Sequence, residues 1–263
     1  MPKAYLGVDG CRGGWFVIQL TGTGVWRTAL VPTAEALAGL INKSKLTLID
    51  IPTGLLDCGG PQRDCDQQAR KALGMPRAAS VFSVPCRSAV YANSYLQACR
   101  LNHSMLGKKL SKQAWNITAK IRQIDELLQN EKHLQNKLRE CHPEVCFWAL
   151  NNKNAMQFNK KQSMGREERL SVLSRYLPSS RKILEFAASE YSRKEVAADD
   201  VIDAMAMAVT AMHGHKKLNR FPDQTQLDNR GIRMEITYWY PSSQTAFLIK
   251  NHQKARTNQI QSY

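Results

Sequence analysis

Five acidic residues occupy positions at which carboxylates can do chemistry instead of lying on a solvated surface. Each lies within or near an apolar segment of the chain, and the five are Asp9, Asp50, Glu144, Asp200 and Asp203. A buried carboxylate costs free energy unless a cation or a hydrogen-bond donor lies beside it. Carboxylate oxygens suit Mg²⁺ or Mn²⁺, and two such ions about 4 Å apart can activate water and stabilise the leaving oxygen of a phosphodiester. The set therefore predicts a hydrolytic site that uses a divalent metal.

Asp9 belongs to residues 5–15, an apolar strand that ends in a carboxylate and turns through glycines. A second apolar run follows at once, which predicts a β-hairpin. Gly10 leaves space beside the carboxylate, and Gly13 and Gly14 supply positive φ for the turn, so a phosphate or a metal could approach the backbone closely. A plain hairpin in which Asp9 caps its own turn explains the same residues without any chemistry.

Residues 197–211 are the second informative stretch, a predicted helix of small residues that could lie close against a sheet. Asp200 and Asp203 are three positions apart and so share one helix face. Two neighbouring carboxylates repel each other unless a cation lies between them. Capping of the helix N-terminus by Asp199 or Asp200 is the structural alternative, but it does not explain Asp203.

Asp50 and Glu144 lie near two further predicted strands. Residues 46–52 are a continuous apolar run, typical of a fully buried strand, and Asp50 stands near its end. Residues 141–148 also have strand character, with Glu144 just past a proline. Zinc is a weak alternative in this stretch, because the spacing of the candidate ligands matches no familiar site: Cys141, His142 and Cys146.

The elements that would position these acids follow one another in a simple order. A third strand over residues 25–31 completes an antiparallel meander, and a short helix capped by Thr33 comes next. Helices and irregular turns fill residues 53–140, with one long amphipathic helix or two broken ones between 108 and 138. Later helices are predicted over 165–177 and 183–190, and one more strand over 232–240.

The charge of the chain favours a polyanionic partner. Thirty-seven Lys and Arg residues stand against 22 Asp and Glu, a formal net charge of +15, and such a surface attracts nucleic acid through counterion release. The predicted substrate contacts are Arg12, Arg63, Arg70, Arg87 and Lys112. Arg63 and Arg70 share a helix face with Asp66, so an ordinary salt-bridged surface is an alternative for them. A basic protein without a specific partner is the general alternative.

No run of about 18 apolar residues is present, and residues 1–4 lead straight into a strand without the apolar core of a signal peptide. The seven cysteines are scattered, as expected of reduced thiols. These features predict a soluble cytoplasmic protein with no membrane partner. The oligomeric state stays open, a homodimer being one option.

Seven segments in this order carry a resemblance to a known family: GVDGCRGGW at 7–15, IDIPTGL at 49–55, RDCD with AR at 63–70, SVF at 80–82, LSKQA at 110–114, HPEVCF at 142–147 and DVIDA at 200–204. Through them the sequence resembles a domain-of-unknown-function family of predicted ribonuclease-H-fold nucleases. The resemblance implies a nuclease that uses a divalent metal, without implying a known substrate. DVIDA is also similar to the closing helix of Holliday-junction resolvases, where two aspartates at this spacing serve the metal site. The buried-strand acid of those enzymes is glutamate, whereas here it is Asp50.

These observations predict an α/β protein of the ribonuclease-H-like fold, with a mixed central sheet, an antiparallel meander plus parallel strands, flanked by helices. One domain would span 1–240 with a helical insertion at about 53–140, and 241–263 would be a basic tail. Asp9 and Asp203 are the expected metal ligands, Asp50 and Asp200 complete the set, and Glu144 orients or deprotonates water. The sequence leaves open whether the nucleic acid is RNA or DNA.

Two other functions fit part of the pattern. An actin-like kinase or ATPase also has a first strand that ends in an aspartate and a glycine turn, but it needs further phosphate loops, which only the neighbourhoods of 216–217 and Gly231 offer. A non-catalytic module that binds RNA or a protein would keep the acids as structural caps. Metal binding separates this module from a nuclease, and nucleotide binding would single out the kinase.

Overall fold

A five-stranded mixed sheet forms the centre of the computed structural model, which describes residues 4–57 and 63–241. Its strands are β1 (Ala4–Cys11), β2 (Gly14–Leu20), β3 (Trp26–Val31), β4 (Ser44–Ile49) and β5 (Leu138–Glu140), in the order β3-β2-β1-β4-β5. β1, β2 and β3 form the predicted antiparallel meander, while β4 runs parallel to both β1 and β5. The predicted α/β class and mixed sheet are confirmed.

Nine α-helices surround this sheet in the described part of the chain: α1 (Ala34–Lys43), α2 (Asp64–Leu73), α3 (Arg87–Val90), α4 (Tyr95–Leu106), α5 (Lys112–Asn130), α6 (Pro143–Leu150), α7 (Ser163–Ser174), α8 (Ser180–Glu190) and α9 (Ala198–Gly214). Thr33 caps α1 as predicted, since its hydroxyl accepts the N–H of Ala36. Two short 3₁₀ segments are present, Arg77–Ser80 between α2 and α3 and Lys132–Asn136 between α5 and β5. β6 (Asn219–Phe221) pairs antiparallel with β7 (Ile236–Tyr238) apart from the main sheet. No helix in this part of the chain is both long and apolar enough to span a membrane.

Each face of the sheet packs against a separate apolar layer. On one face, the buried residues of α9 and α6 pack with Phe16 and Ile18 of β2. On the other face, the buried residues of α1 and α5 pack with Val8 of β1 and Ile49 of β4. β1 and β4 are therefore covered on both sides, which explains why their sequences are apolar with little alternation.

Helix α9 lies unusually close to β1 because Gly7 has no side chain. A Cβ atom at Gly7 would lie 2.0 Å from the carbonyl oxygen of Ala204 and 2.3 Å from the nitrogen of Ala208. The small residues of α9 allow the same close approach from the helix side, as predicted for this stretch. The close packing brings the first turns of α9 to the end of β1 that carries Asp9.

The structure corrects four local predictions. Residues 141–148 are not a strand: the strand is β5, three residues earlier, and Pro143 begins α6, because proline lacks an N–H that the first helical turn does not use. The strand predicted over 232–240 is only β7, and only Gly14 of the hairpin pair has a positive φ, at 129°. β5 also lies inside the predicted insertion at 53–140, so the helical part of that segment ends earlier. The predicted tail lies outside the described residues beyond Pro241.

Candidate carboxylate site

The five predicted acids come together at one edge of the sheet, and we call this group the carboxylate cluster: Asp9, Asp50, Glu144, Asp200 and Asp203. Asp9 lies near the end of β1, and Asp50 follows the last residue of the neighbouring parallel strand β4. The N–H of Asp50 donates to the carbonyl oxygen of Val8 at 3.0 Å, which fixes the two strand ends side by side. Glu144 and Asp200 come from the first turns of α6 and α9, and Asp203 lies one turn further along α9.

Asp203 is the most deeply buried aspartate of the cluster, with 1% of its surface exposed. Its Oδ2 accepts a hydrogen bond from Nζ of Lys160 at 2.5 Å, and the same ammonium lies 4.0 Å from Asp199. Its Oδ1 is buried and has no hydrogen-bond partner among the residues that the structure describes. One oxygen of this carboxylate is therefore paired with a cation, and the other oxygen is not.

Glu144 has a similar division of its two oxygens. Oε1 accepts from Nη2 of Arg169 at 2.5 Å, whereas Oε2 is buried and has no partner in the described part of the chain. Arg169 is itself fully buried and donates from Nη1 to the carbonyl oxygens of Gly165 and Phe158. Arg169 therefore holds Glu144 in one orientation and leaves Oε2 free.

Asp200 performs the capping role that the sequence offered as an alternative, since its Oδ2 accepts the N–H of Ala197 at 2.8 Å. Its place in the cluster is compatible with this role, because the cap uses only one of its two oxygens.

The carboxylates of the cluster disfavour one another's charged forms. Burial raises the pKa of Asp9 well above its ordinary value, and the charges of Asp50, Asp203 and Asp200 raise it further. Burial also raises the pKa of Asp50 and of Asp200, and it raises the pKa of Asp203 to about 6 although Lys160 acts to lower it. The positive charge near these four aspartates is therefore too small to offset their burial and mutual repulsion.

Lys160 supplies positive charge to these aspartates. Burial acts to lower the pKa of Lys160, but the charges of Asp203, Asp9 and Asp50 outweigh burial and raise it. Within residues 4–57 and 63–241, no three His, Cys, Asp or Glu side chains are gathered closely enough to hold a metal as they stand, and this applies to the zinc alternative as well. Lys160 is thus the counter-charge of Asp203, while Arg169 is that of Glu144.

The predicted substrate contacts do not gather around the cluster. Arg63 is 3% exposed and pairs with Glu140 at 2.5 Å and with Asp66 at 3.3 Å. Arg87 is 5% exposed and pairs with three carboxylates: Asp57, Asp125 and Asp228. The donors of both arginines are therefore used inside the protein, which argues against the predicted substrate contacts.

The other three predicted contacts lie in different places. Arg70 is half-buried, donates to the carbonyl oxygens of Val81 and Phe82, and lines a cavity of 480 Å³ among the helices of the insertion. Lys112 is exposed at the first residue of α5, and Arg12 is exposed at the tip of the β1–β2 hairpin.

Sequence reasoning missed three residues that bear on the site. Lys160 follows no pattern that marks it out from its basic neighbours. Arg169 could have been found, because it lies on the inward-facing side of a predicted amphipathic helix, next to Leu170 and four residues before Leu173. His142 acts to lower the pKa of Asp50, but it was considered only as a zinc ligand.

The fold and the site together define an α/β protein with a buried carboxylate cluster at the carboxyl ends of two adjacent parallel strands. The chain belongs to the family described as Protein of unknown function (DUF429), whose model matches residues 7–227. All five acids and Lys160 lie inside the matched region. No curated protein and no solved structure matches the chain.

Proposed function

We propose that this protein is a nuclease of the ribonuclease-H-like fold that hydrolyses phosphodiester bonds in RNA or DNA with Mg²⁺ or Mn²⁺ at the carboxylate cluster. The observation that carries the proposal concerns two buried oxygens that have no hydrogen-bond partner within residues 4–57 and 63–241, Oδ1 of Asp203 and Oε2 of Glu144. Each unpaired, buried carboxylate oxygen costs free energy. A cation at Oδ1 of Asp203 and a water molecule at Oε2 of Glu144 would remove that cost. The antiparallel meander followed by parallel strands supports the fold assignment.

The donor chemistry of these residues suits a hard divalent cation, but the side chains would have to draw closer to hold one, since no three acids in the described part of the chain are gathered closely enough as they stand. All the candidate ligands are carboxylate oxygens, the donors that Mg²⁺ and Mn²⁺ prefer. Asp9 and Asp203 would hold the ion, and Asp50 and Oδ1 of Asp200 would complete the set. When bound, the ion would activate water and stabilise the charge on the leaving oxygen.

The protein's own side chains contribute orientation and proton transfer. Arg169 fixes Glu144, so that Oε2 can accept a proton from the attacking water. The side chain of Lys160 is 36% exposed, which leaves room for the ammonium to turn towards solvent when an ion takes its place. Lys160 would then be free to contact a phosphate.

The ion pair itself favours a second candidate function. In a non-catalytic nucleic-acid-binding module, Lys160 would remain on Asp203 at 2.5 Å as a permanent counter-charge, and no metal would be required. The two candidates differ in whether divalent metal binds and whether a strand is cut.

A cleavage assay tests the proposal. Wild type, Asp9→Asn and the exposed control Asp223→Asn are incubated with end-labelled RNA, single-stranded DNA, duplex DNA and branched DNA in Mn²⁺ or Mg²⁺. We expect cleavage by the wild type and the control, and none by Asp9→Asn, because the amide removes a charged ligand. Equal traces of cleavage in all three proteins would indicate contamination, and binding without cleavage would favour the non-catalytic module.

A further inference from the structure

A groove of 1060 Å³ starts beside the carboxylate cluster and runs between the hairpin tip, α5, α8 and the segment before α9. Gly10, Asp199 and Asp200 line its inner end, where it adjoins the cluster. We call it the basic groove. Its position makes it the natural approach for a long substrate to the acids.

The walls of the basic groove carry six bases and three acids: Arg12, Lys120, Lys161, Arg166, Arg193 and Lys194, against Glu195, Asp199 and Asp200. The acids have internal roles. Asp200 caps α9, Oε2 of Glu195 accepts the hydroxyl of Ser192 at 2.6 Å, and Asp199 lies 4.0 Å from Lys160. The bases are therefore the charged groups of the basic groove that a ligand would meet.

Four of these bases are exposed and form no ion pair with any residue in the described part of the chain: Arg12, Lys161, Arg193 and Lys194. Lys120 differs, because its ammonium donates to the carbonyl oxygen of Gly14 at 2.6 Å and lies over the ring of Trp15. The four exposed bases are thus available to phosphates, whereas the ammonium of Lys120 is already bound to the protein itself.

The groove holds Arg12 at a defined place. The N–H of Gly13 donates to the carbonyl oxygen of Glu195 at 3.1 Å, which attaches the hairpin tip to the segment before α9. A Cβ atom at Gly13 would lie 2.8 Å from a methyl group of Leu30 and 3.0 Å from Cβ of Glu195. The tip is tightly packed there, so Arg12 projects from a fixed backbone.

Apolar side chains also line the groove: Ile117, Leu184, Ala187, Tyr191 and Val196. Tyr191 is half-buried and well fixed, since its hydroxyl bonds Oγ1 of Thr28 at 2.9 Å and its ring packs edge-on against Phe16. A combination of exposed cations with an apolar, partly aromatic floor suits a ligand that carries both phosphates and accessible bases.

We propose that the basic groove binds a single strand of nucleic acid, with phosphates on the exposed bases and nucleobases against the apolar floor, and leads it to the carboxylate cluster. A duplex keeps its bases stacked inside and offers the groove mainly phosphates, so it would leave the floor unused. The destination of the strand rests on the proposed function, but binding in the groove requires no metal.

The test measures binding by fluorescence anisotropy in EDTA, with fluorescein-labelled twelve-nucleotide oligo-dT and oligo-rU and with a duplex of equal length. Two double variants remove groove bases, Arg12→Glu with Arg193→Glu and Lys161→Glu with Lys194→Glu. The matched control, Lys45→Glu with Lys132→Glu, makes the same charge change at exposed residues that do not line the groove. Thermal melting confirms that all variants are folded.

We expect each groove variant to lose affinity for the single strands by at least about tenfold, with a salt slope shallower by about 1.4 for two lost phosphate contacts. The control should stay within about twofold of the wild type, because overall charge alone acts weakly at a distance in salt. Duplex should bind more weakly than single strand. A groove variant that binds like the control, or a duplex that binds as well as the single strands, would overturn the inference.

The result is separable from that of the cleavage assay. Loss of binding in the groove variants, together with a wild type that never cleaves, would keep the groove and reject the nuclease. Cleavage by a wild type whose groove variants bind and cut normally would keep the nuclease and reject the groove.

Discussion

Asp203 and Lys160 form the pair on which the site depends at the scale of single residues. The five acids were predicted from their positions at strand and helix ends, and the structure brings them to one place. Lys160 was not predicted, because its role depends on how the segment between α6 and α7 returns to α9, and no local pattern in the sequence records that path.

Removal of the Lys160 charge tests whether this ammonium stands where a metal would bind. Lys160→Met leaves Asp203 without a counter-charge, so in EDTA we expect a melting temperature a few degrees below that of wild type. Added Mn²⁺ should raise the melting temperature of Lys160→Met by more than that of wild type, because any ligand of the native state stabilises it.

Lys161→Met is the control for this change, since Lys161 is exposed and forms no ion pair with a described residue. Its melting temperature should follow that of wild type with and without Mn²⁺. A loss in Lys160→Met that metal does not reverse would make the Lys160–Asp203 ion pair a permanent structural feature.

Arg63 shows how a plausible surface residue can be structural. Its position three residues before Asp66 and seven before Arg70 predicted an exposed helix face, but the neighbouring strand β5 supplies Glu140 and the whole group is buried. Sequence spacing on α2 could not reveal a partner 77 residues away.

Arg63→Met should lower the free energy of unfolding by about 3–5 kcal/mol, because it leaves buried carboxylates without their cation. The affinity of the folded protein for single-stranded nucleic acid should not change. Urea titration gives the first quantity and anisotropy the second. A variant with full stability and weakened nucleic-acid binding would restore Arg63 as a substrate contact.

At the scale of elements, the contact between β1 and α9 positions the cluster. Both elements were predicted correctly, β1 from its apolar run and α9 from its small residues. Their contact was anticipated only as a condition for the acids to converge. Its physical basis is Gly7, whose missing side chain lets two backbones approach directly.

Gly7→Ala should therefore destabilise the protein by about 3 kcal/mol or more, since the new methyl group overlaps the backbone of α9. Gly39→Ala in α1 is the matched control, because a Cβ atom there would have no atom of the described residues within 4 Å. The control should gain about 0.5–1 kcal/mol from the better helix former. Equal effects of the two substitutions on urea unfolding would contradict this account of the β1–α9 contact.

The α6 segment shows why some elements could not be predicted. The residues that begin the helix, Pro143 and Glu144, come directly after a strand of only three residues, so helix and strand signals overlap within a few positions. Tertiary packing decides between them, because α6 is buried along its whole length and has no polar face to give a helical period.

At the scale of the whole molecule, stability depends on groups far from the cluster. His213 near the end of α9 stacks on Trp239 with ring centroids 5.0 Å apart, and burial lowers the pKa of His213 below its ordinary value of 6.5. The unfolded chain therefore binds a proton more readily than the folded one. Stability that is complete above pH 6.5 is lost as the pH falls through 6.5 towards the lower folded-state pKa.

Substitution of His213 by phenylalanine keeps an aromatic ring on Trp239 and removes the titrating group. We expect the free energy of unfolding of His213→Phe to fall less than that of wild type between pH 7 and pH 5. Urea titrations at several pH values measure the difference. Identical pH slopes in the two proteins would show that His213 does not contribute.

The sequence predicted the positive sign of the protein's net charge but not where on the molecule the exposed bases lie. A net charge of +15 indicated a polyanion partner, and the structure separates bases that are used internally, such as Arg63 and Arg87, from those exposed along the basic groove. Arg12 is the one predicted substrate contact that lies in the groove. The sequence could not make this separation because burial of a charged side chain depends on partners distant in the chain.

The central claim is that the carboxylate cluster binds a divalent ion, and calorimetry of metal-free protein with MnCl₂ tests it most directly. Wild type and the exposed control Asp223→Asn should bind Mn²⁺ with millimolar or tighter affinity, and Asp203→Asn should bind at least about tenfold more weakly after the loss of one charged oxygen ligand. Absence of binding by the wild type, or equal affinity in Asp203→Asn and the control, would contradict the claim.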